Sequence, residues 1–221
     1  MNKTVWLSLV CTAIAMLTAC NQEEEAPRID SVWFNMVSRP IEQATCAYPG
    51  QTICLRGEFL GDLKRVIVNG TDINLNTMFV YESDNNVTFQ LPSDVNTAGD
   101  KIRVVTKWGM FDFPFVIRPT SEKPVIGSFS STTLVGGREL TITGSNLAGV
   151  KEVWLPLAFN EKAKCELGEE QDADGTTVRV IIPEGVAFAK GLCEILMEKT
   201  DTVRGITYTE KAYSTSTDFR N

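Results

Sequence analysis

Apolar and polar positions alternate along most of the chain. The clearest runs are Ile53/Leu55, Val66/Val68, Val87/Phe89/Leu91, Ile102/Val104 and Phe111/Phe113/Phe115/Ile117. A period of two with one buried face predicts antiparallel strands. Turn residues separate the runs at Tyr48-Pro49-Gly50, Phe59-Leu60-Gly61-Asp62, Val68-Asn69-Gly70, Thr97-Ala98-Gly99-Asp100 and Lys107-Trp108-Gly109. No amphipathic helix of ten or more residues is predicted after the N-terminal segment. About seven short strands in about 95 residues is the size of an immunoglobulin-like sandwich.

The pattern is written twice. Pro27-x-Ile29-x-Ser31 returns as Pro124-x-Ile126-x-Ser128. Gly50-x-x-Ile53-x-Leu55-x-Gly57-x-x-Leu60 returns as Gly137-x-x-Leu140-x-Ile142-x-Gly144-x-x-Leu147, 87 residues later. The same offset carries Leu63-Lys64-x-Val66-x-Val68 onto Val150-Lys151-x-Val153-x-Leu155. Val87 to Pro92 matches Val178 to Pro183, and Gly109 matches Gly205. Five matches in order predict two homologous all-β domains, 27–119 and 120–221, joined near Arg118-Pro119-Thr120-Ser121-Glu122-Lys123-Pro124. Gly57 and Gly144 are expected to end a strand in a tight turn that needs φ > 0. Pro92 and Pro183 are expected to stop a strand by withholding an N–H.

The N-terminus carries an address. Val5 to Leu17 is an apolar run of 13 residues preceded by Lys3. A membrane-spanning helix needs about 20, so the run has the length of a signal-peptide core. It closes on Leu17-Thr18-Ala19-Cys20. That stretch resembles a bacterial lipobox, which implies residues 1–19 as signal peptide and a lipidated Cys20. Residues 20–26 then form an acidic tether, Asn21-Gln22-Glu23-Glu24-Glu25-Ala26 after the cysteine. The tether resembles the export tag of outer-surface lipoproteins, which implies an outer-membrane protein facing the cell exterior.

Composition narrows the chemistry. The chain has 221 residues, is 43% hydrophobic, and carries a formal charge of −7 with no histidine. The acidic balance argues against nucleic acid as a partner, because phosphate contacts need clustered Lys and Arg. Without histidine the commonest general base and zinc ligand are missing. No catalytic residues, cofactor or metal site are expected, and carboxylate pairs are the only acid–base option left.

The repeated Gly and Pro framework resembles the IPT/TIG domain, an immunoglobulin-like fold, over residues 27–210. The fold class implied is all-β, two tandem immunoglobulin-like β-sandwich domains. Lipobox, acidic tether and tandem domains together resemble surface glycan-binding lipoproteins of starch-utilisation-like uptake systems. The resemblance implies a non-catalytic protein with a polysaccharide or an outer-membrane transporter as partner. Such domains also serve as stalks for a C-terminal glycan-binding domain. None is expected after the second domain here, so a stalk or adhesion module binding a protein partner is the second reading.

Exposed aromatic rings are the candidate ligand contacts, since their flat faces stack on the C–H face of a sugar and anchor protein interfaces alike. Trp108 leads, because its counterpart in the second copy is Arg204, so the fold does not need an aromatic there. Trp154 lies between inward-facing Val153 and Leu155 and is expected to face outward. Trp33 adjoins Phe34 in the first strand, so one of the two faces out. Tyr81 and Tyr48 are weaker candidates. The bland alternative for each is a ring tucked over its own strand or hairpin. Coplanar exposed rings would favour glycan binding, and lone tucked rings a structural role. Cys46 and Cys54 flank a turn and are candidates for a disulfide, as are Cys165 and Cys193 across neighbouring strands; the alternative is unpaired thiols. Glu170 to Gly175 has alternating oxygens like a calcium loop, but position twelve is Ile181, and Asp174-Gly175 reads as a turn. Asp30-Ser31-Val32 and Asp201-Thr202-Val203 resemble a short O-glycosylation motif.

Overall fold

The computed structural model describes residues 25–35, 41–74, 79–169, 171–202 and 204–221, with backbone alone at 79–82. The signal segment and Cys20 lie outside the described residues.

The first half contains β1 (Arg28–Phe34), β2 (Gln43–Ala44), β3 (Cys46–Ala47), β4 (Thr52–Glu58), β5 (Leu63–Val68), β6 (Thr71–Asp72), β7 (Phe79–Glu82), β8 (Asn86–Gln90), β9 (Lys101–Thr106), β10 (Met110–Pro114) and β11 (Val116–Ile117). They form one sheet ordered β2-β1-β4-β8-β7 and another ordered β10-β9-β5-β6. The second half contains β12 (Val125–Phe129), β13 (Glu139–Ser145), β14 (Val150–Pro156), β15 (Lys162–Leu167), β16 (Thr177–Ile181), β17 (Lys190–Gly191), β18 (Glu194–Asp201), β19 (Ile206–Tyr213) and β20 (Thr217–Asp218). Here the order β12-β13-β16-β15-β14-β18-β19 is continuous. Strand β15 makes it so: Ala163 and Cys165 pair with β14, whereas Glu166 and Leu167 pair with β16.

The alternating residues do what their period requires. Ile53, Leu55, Val66, Val68, Val87, Phe89, Ile102 and Val104 are buried in one hydrophobic cluster. Leu140, Ile142, Val153, Leu155, Val178, Val180, Ile195 and Met197 are buried in a second. Removing such apolar surface from water is the main stabilising term.

The repeat in sequence is a repeat in space. Arg28 pairs with Glu58 as Val125 pairs with Ser145. The register slips between Ile29 and Ser31, and again between Ile126 and Ser128. These matched bulges correct the reading of the two glycines. Gly57 and Gly144 lie inside β4 and β13, and neither is among the positive-φ glycines. A Cβ on Gly57 would fall 1.8 Å from the Arg28 carbonyl oxygen, and one on Gly144 2.1 Å from that of Val125. Glycine is required because the bulged strand comes too close for a side chain.

Charged groups join the halves. Arg118 pairs with Asp201 at 2.6 Å, Arg204 pairs with the same carboxylate at 2.6 Å, and Arg204 donates to the Thr97 carbonyl. Tyr48 donates to Glu210, which also pairs with Lys199 at 3.2 Å. Asn146 donates to the carbonyls of Ser121 and Lys123 in the connection. Cys46, Val116 and Tyr208 form a small apolar cluster between them. Asp201 and Glu210 are almost fully buried, and the partners offset the desolvation of their charges.

Candidate binding surface

The structure separates the aromatic candidates. Trp33 sits half-buried on β1, donates from Nε1 to Ser31 Oγ at 3.0 Å, and has the Arg56 guanidinium 4.1 Å above its ring. Trp108 caps the β9–β10 hairpin with Lys107 Nζ 4.2 Å from its ring centroid. Trp154 is on the outward side of β14, as its position between buried Val153 and Leu155 predicted. Tyr81 lies in β7, and its side chain is outside the described residues. Among the described residues no two of these rings stack on each other. Tyr48 is no surface candidate: it is buried at the junction. Its hydroxyl pKa is raised, first by burial and then by the charge of Glu210.

Trp154 is the ring with the richest polar surroundings. Register places Lys164 and Glu194 directly opposite it on the two flanking strands, and Tyr213 opposite Glu194. Its Nε1 donates to Glu152 at 3.1 Å, and Lys164, itself paired with Glu152, approaches the ring to 5.6 Å. Lys162 and Lys211 both pair with Glu194. Lys211 also reaches Glu42 of the first half at 3.0 Å, and Tyr213 donates to Glu42 at 2.9 Å. The result is an indole face ringed by fixed donors and acceptors.

Electrostatics decides what this arrangement can do. Burial pushes Glu194 up, but hydrogen bonds and charge from Lys162 and Lys211 outweigh it and hold its pKa below the usual range. The Lys164 and Trp154 hydrogen bonds lower Glu152 as well. Both carboxylates beside the ring are therefore ionised at neutral pH. A glycosidase needs one of its pair protonated, with a raised pKa, to act as general acid. The surface can hold hydroxyl groups, and neither Glu152 nor Glu194 is held protonated as that general acid would have to be.

A shallow cleft continues from this face along the junction. Its walls include Phe34, Gln43 and Thr45 of the first half and Leu196 and Thr209 of the second. Thr45 Oγ1 donates to the Thr209 carbonyl, so residues 42–46 cover the free edge of β19.

The disulfide expectations are corrected: among the described residues Cys46, Cys54, Cys165 and Cys193 form no disulfide. Cys165 is on β15 and Cys193 precedes β18, with β14 between them. Two strand spacings are about 9–10 Å, beyond the roughly 7 Å Cα limit for a disulfide. Cys46 faces Tyr208 at the junction, whereas Cys54 points off the sheet towards Asn86. The Asp172 carboxylate accepts from Thr176 Oγ1 and the Asp174 N–H, closing a turn at Gly175 with φ +67°. Asp201 of the second O-glycosylation-like motif is held between two arginines.

Phe159 was not singled out by sequence. It is 97% exposed and has φ +59° in the β14–β15 loop, followed by Asn160 at φ +62°. A bulky residue in the left-handed region is a genuine outlier. The equivalent connection in the first half is the tight Asn69-Gly70 turn, so the second copy has a longer loop whose tip is an aromatic ring. That difference in connection length was the available signal.

The fold and surface define an all-β protein with immunoglobulin-like sheets and a polar face around a half-buried indole. No protein-family model matches the chain. A curated protein described as an IPT/TIG domain-containing protein, from Bacteroides ovatus, is 24% identical over 155 residues, covering 66% of this chain and 31% of its own. The chain thus spans about a third of that relative's length. Surface glycan-binding protein PbSGBP-B from Prevotella bryantii aligns over 85% of this chain and 41% of its own, with TM-score 0.38 and 18% identity. SGBP-B from a complex xyloglucan utilization locus in Bacteroides uniformis aligns over 89% and 50%, with TM-score 0.35 and 16% identity.

Proposed function

We propose that this chain is a non-catalytic, lipid-anchored surface protein that binds polysaccharide through the Trp154 face. In this reading Cys20 carries the lipid and residues 21–26 form the tether. Domains 27–119 and 120–221 present the surface beside an outer-membrane glycan transporter. One observation carries it: Trp154 is a half-exposed indole set among Lys162, Lys164, Glu152, Glu194 and Lys211. A sugar offers an apolar C–H face for the ring and hydroxyls for the surrounding charges, and charge-assisted hydrogen bonds are the strong ones.

The test is affinity electrophoresis of residues 21–221 against a panel of neutral polysaccharides, with Trp154→Ala, Phe159→Ala and Trp108→Ala alongside. Retardation by one glycan is expected to weaken about tenfold in Trp154→Ala, equivalent to about 1.4 kcal/mol. Trp108→Ala is expected to bind as the parent does. Retardation that survives Trp154→Ala would refute this site. No retardation by any glycan would support a second reading, a stalk or adhesion module with a protein partner. The observation favouring that reading is that Trp33 on β1, Trp108 in the β9–β10 hairpin and Trp154 on β14 each have a cation at the ring, and among the described residues no two of them stack.

A further inference from the structure

The two copies differ at the end where the first one begins. In the second copy, the strand ends around Val125, Ser145, Asn146 and Arg204 face the first half. Asn146 holds the connection, and Arg204 reaches the Thr97 carbonyl. Strand pairing identifies the same end of the first copy, because Arg28 pairs with Glu58 as Val125 pairs with Ser145. The sequence repeat then sets Phe59 where the second copy has Asn146, Trp108 where it has Arg204, and Met110 where it has Ile206.

These residues belong to one end. The Lys107 N–H donates to the Asp62 carbonyl, tying the β9–β10 hairpin to the Phe59 loop. Gly109 packs on the segment that leads into β1, since a Cβ there would fall 3.2 Å from that of Ala26. Phe59 is 38% exposed, Trp108 37% and Met110 63%. Phe59 also has φ +55°, a conformation that its counterpart Asn146 adopts at φ +57° and tolerates far better. At two of these positions the first copy has an aromatic ring where the second docks through a polar group, and at the third the counterpart Ile206 packs against the apolar cluster of the junction while Met110 is exposed.

Covalent reach selects the occupant. Ala26 is six residue steps from Cys20, and a fully extended chain covers about 3.3–3.6 Å per residue. A lipid on Cys20 therefore keeps this end within about 20 Å of the bilayer, and the polar interface alone is several ångströms deep. Indole and phenyl groups favour that interface. The end carries both signs, with Arg28, Lys107, Glu58 and Asp62, and the acidic tether opposes an anionic surface. Zwitterionic lipid suits both.

We propose that the tether end of the first copy rests on the membrane, with Phe59, Trp108 and Met110 in the headgroup region. The proposal rests on the lipidated Cys20 of the preceding section. The experiment uses the lipidated full chain in phosphatidylcholine vesicles, with Trp33→Phe and Trp154→Phe leaving Trp108 as the one emitter of the mature protein. A matching variant retains Trp154 instead, and the urea midpoint of each checks folding. Co-flotation with loss of Trp108 emission in bromine-labelled lipid, and none for Trp154, is the expected result. Co-flotation with unchanged Trp108 emission overturns the membrane contact while leaving the anchor intact. Failure to float refutes the anchor and this proposal with it.

Discussion

Gly57→Ala tests the close-approach reading of the bulge. The new Cβ would lie 1.8 Å from the Arg28 oxygen and 2.8 Å from its carbon, where real contacts stay above about 3.0 Å. Strand β1 must recede by more than an ångström, which disrupts the Arg28–Glu58 and Ile29–Gly57 pairs. Two backbone hydrogen bonds contribute about 1 kcal/mol each. Loosening Ile29, now 3% exposed, costs about 1 kcal/mol more. Alanine returns about 0.4–1 kcal/mol by restricting the unfolded chain. The net expectation is about 2–3 kcal/mol of destabilisation, or roughly a 1 M fall in urea midpoint at a slope of about 2 kcal/mol/M. Tryptophan emission of residues 21–221 follows the transition. Gly70 is the control: φ is +85° and nothing lies within 4 Å of its Cβ position. Gly70→Ala should cost about 1 kcal/mol, and Gly70→Asn less, because asparagine tolerates the left-handed region. Asparagine should give no such relief at Gly57. A Gly57→Ala change below about 0.5 kcal/mol, or rescue by Gly57→Asn, would return the explanation to backbone conformation.

Three further outcomes are expected. Burial pushes Asp201 up, but hydrogen bonds from the Arg204 backbone and side chain, with the Arg118 charge, hold it below the usual carboxylate range. Its contribution is therefore complete above about pH 4 and drains as pH falls through the folded value, so Asp201→Asn should flatten the acid limb of urea midpoint against pH. A thiol-reactive dye should count four thiols in denatured residues 21–221 and react with Cys54 first in the native protein. Burial pushes Cys165 up to about 12, and burial, reinforced by Cys165, raises Cys193 too; two missing thiols in denaturant would restore the disulfide. Phe159→Asn should raise stability by about 1 kcal/mol through relief of its left-handed backbone, read as a higher urea midpoint. An unchanged or lower midpoint would remove the strain.

The fold was legible because its signals are local. Alternation at Ile53/Leu55 or Val153/Leu155 reports burial directly, and the five ordered matches report the repeat. The cause of the glycines was not legible: a requirement for φ > 0 and a requirement for a missing Cβ look identical in sequence, and the register slip separates them. Cys165 and Cys193 failed for a similar reason, since strand order in space is not order along the chain. At Trp154, alternation placed the ring outward. Its surroundings come from β15, β18, β19 and Glu42, brought together only by long-range pairing. Phe159 had no periodic signal, because its conformation belongs to an irregular loop.

An internal repeat is also an internal control, and Trp108 shows how it works. Reading Arg204 as its counterpart suggested that the fold does not need an aromatic at this hairpin, and so pointed to a ligand. The structure gives Arg204 a task, binding Asp201 and the Thr97 carbonyl of the preceding unit. The equivalent hairpin therefore faces whatever precedes its own unit, which for Trp108 is the tether at Ala26 and Pro27. Trp108→Arg puts this to the test. The second copy demonstrates that the hairpin accepts arginine, and Trp108 loses only a partly exposed ring and a weak cation–π contact worth about 0.5–1 kcal/mol. The urea midpoint should move by no more than that, and glycan retardation should be unchanged. A loss above about 2 kcal/mol would show that the ring is part of the core, and the contrast between the copies would carry no information about what the first one meets.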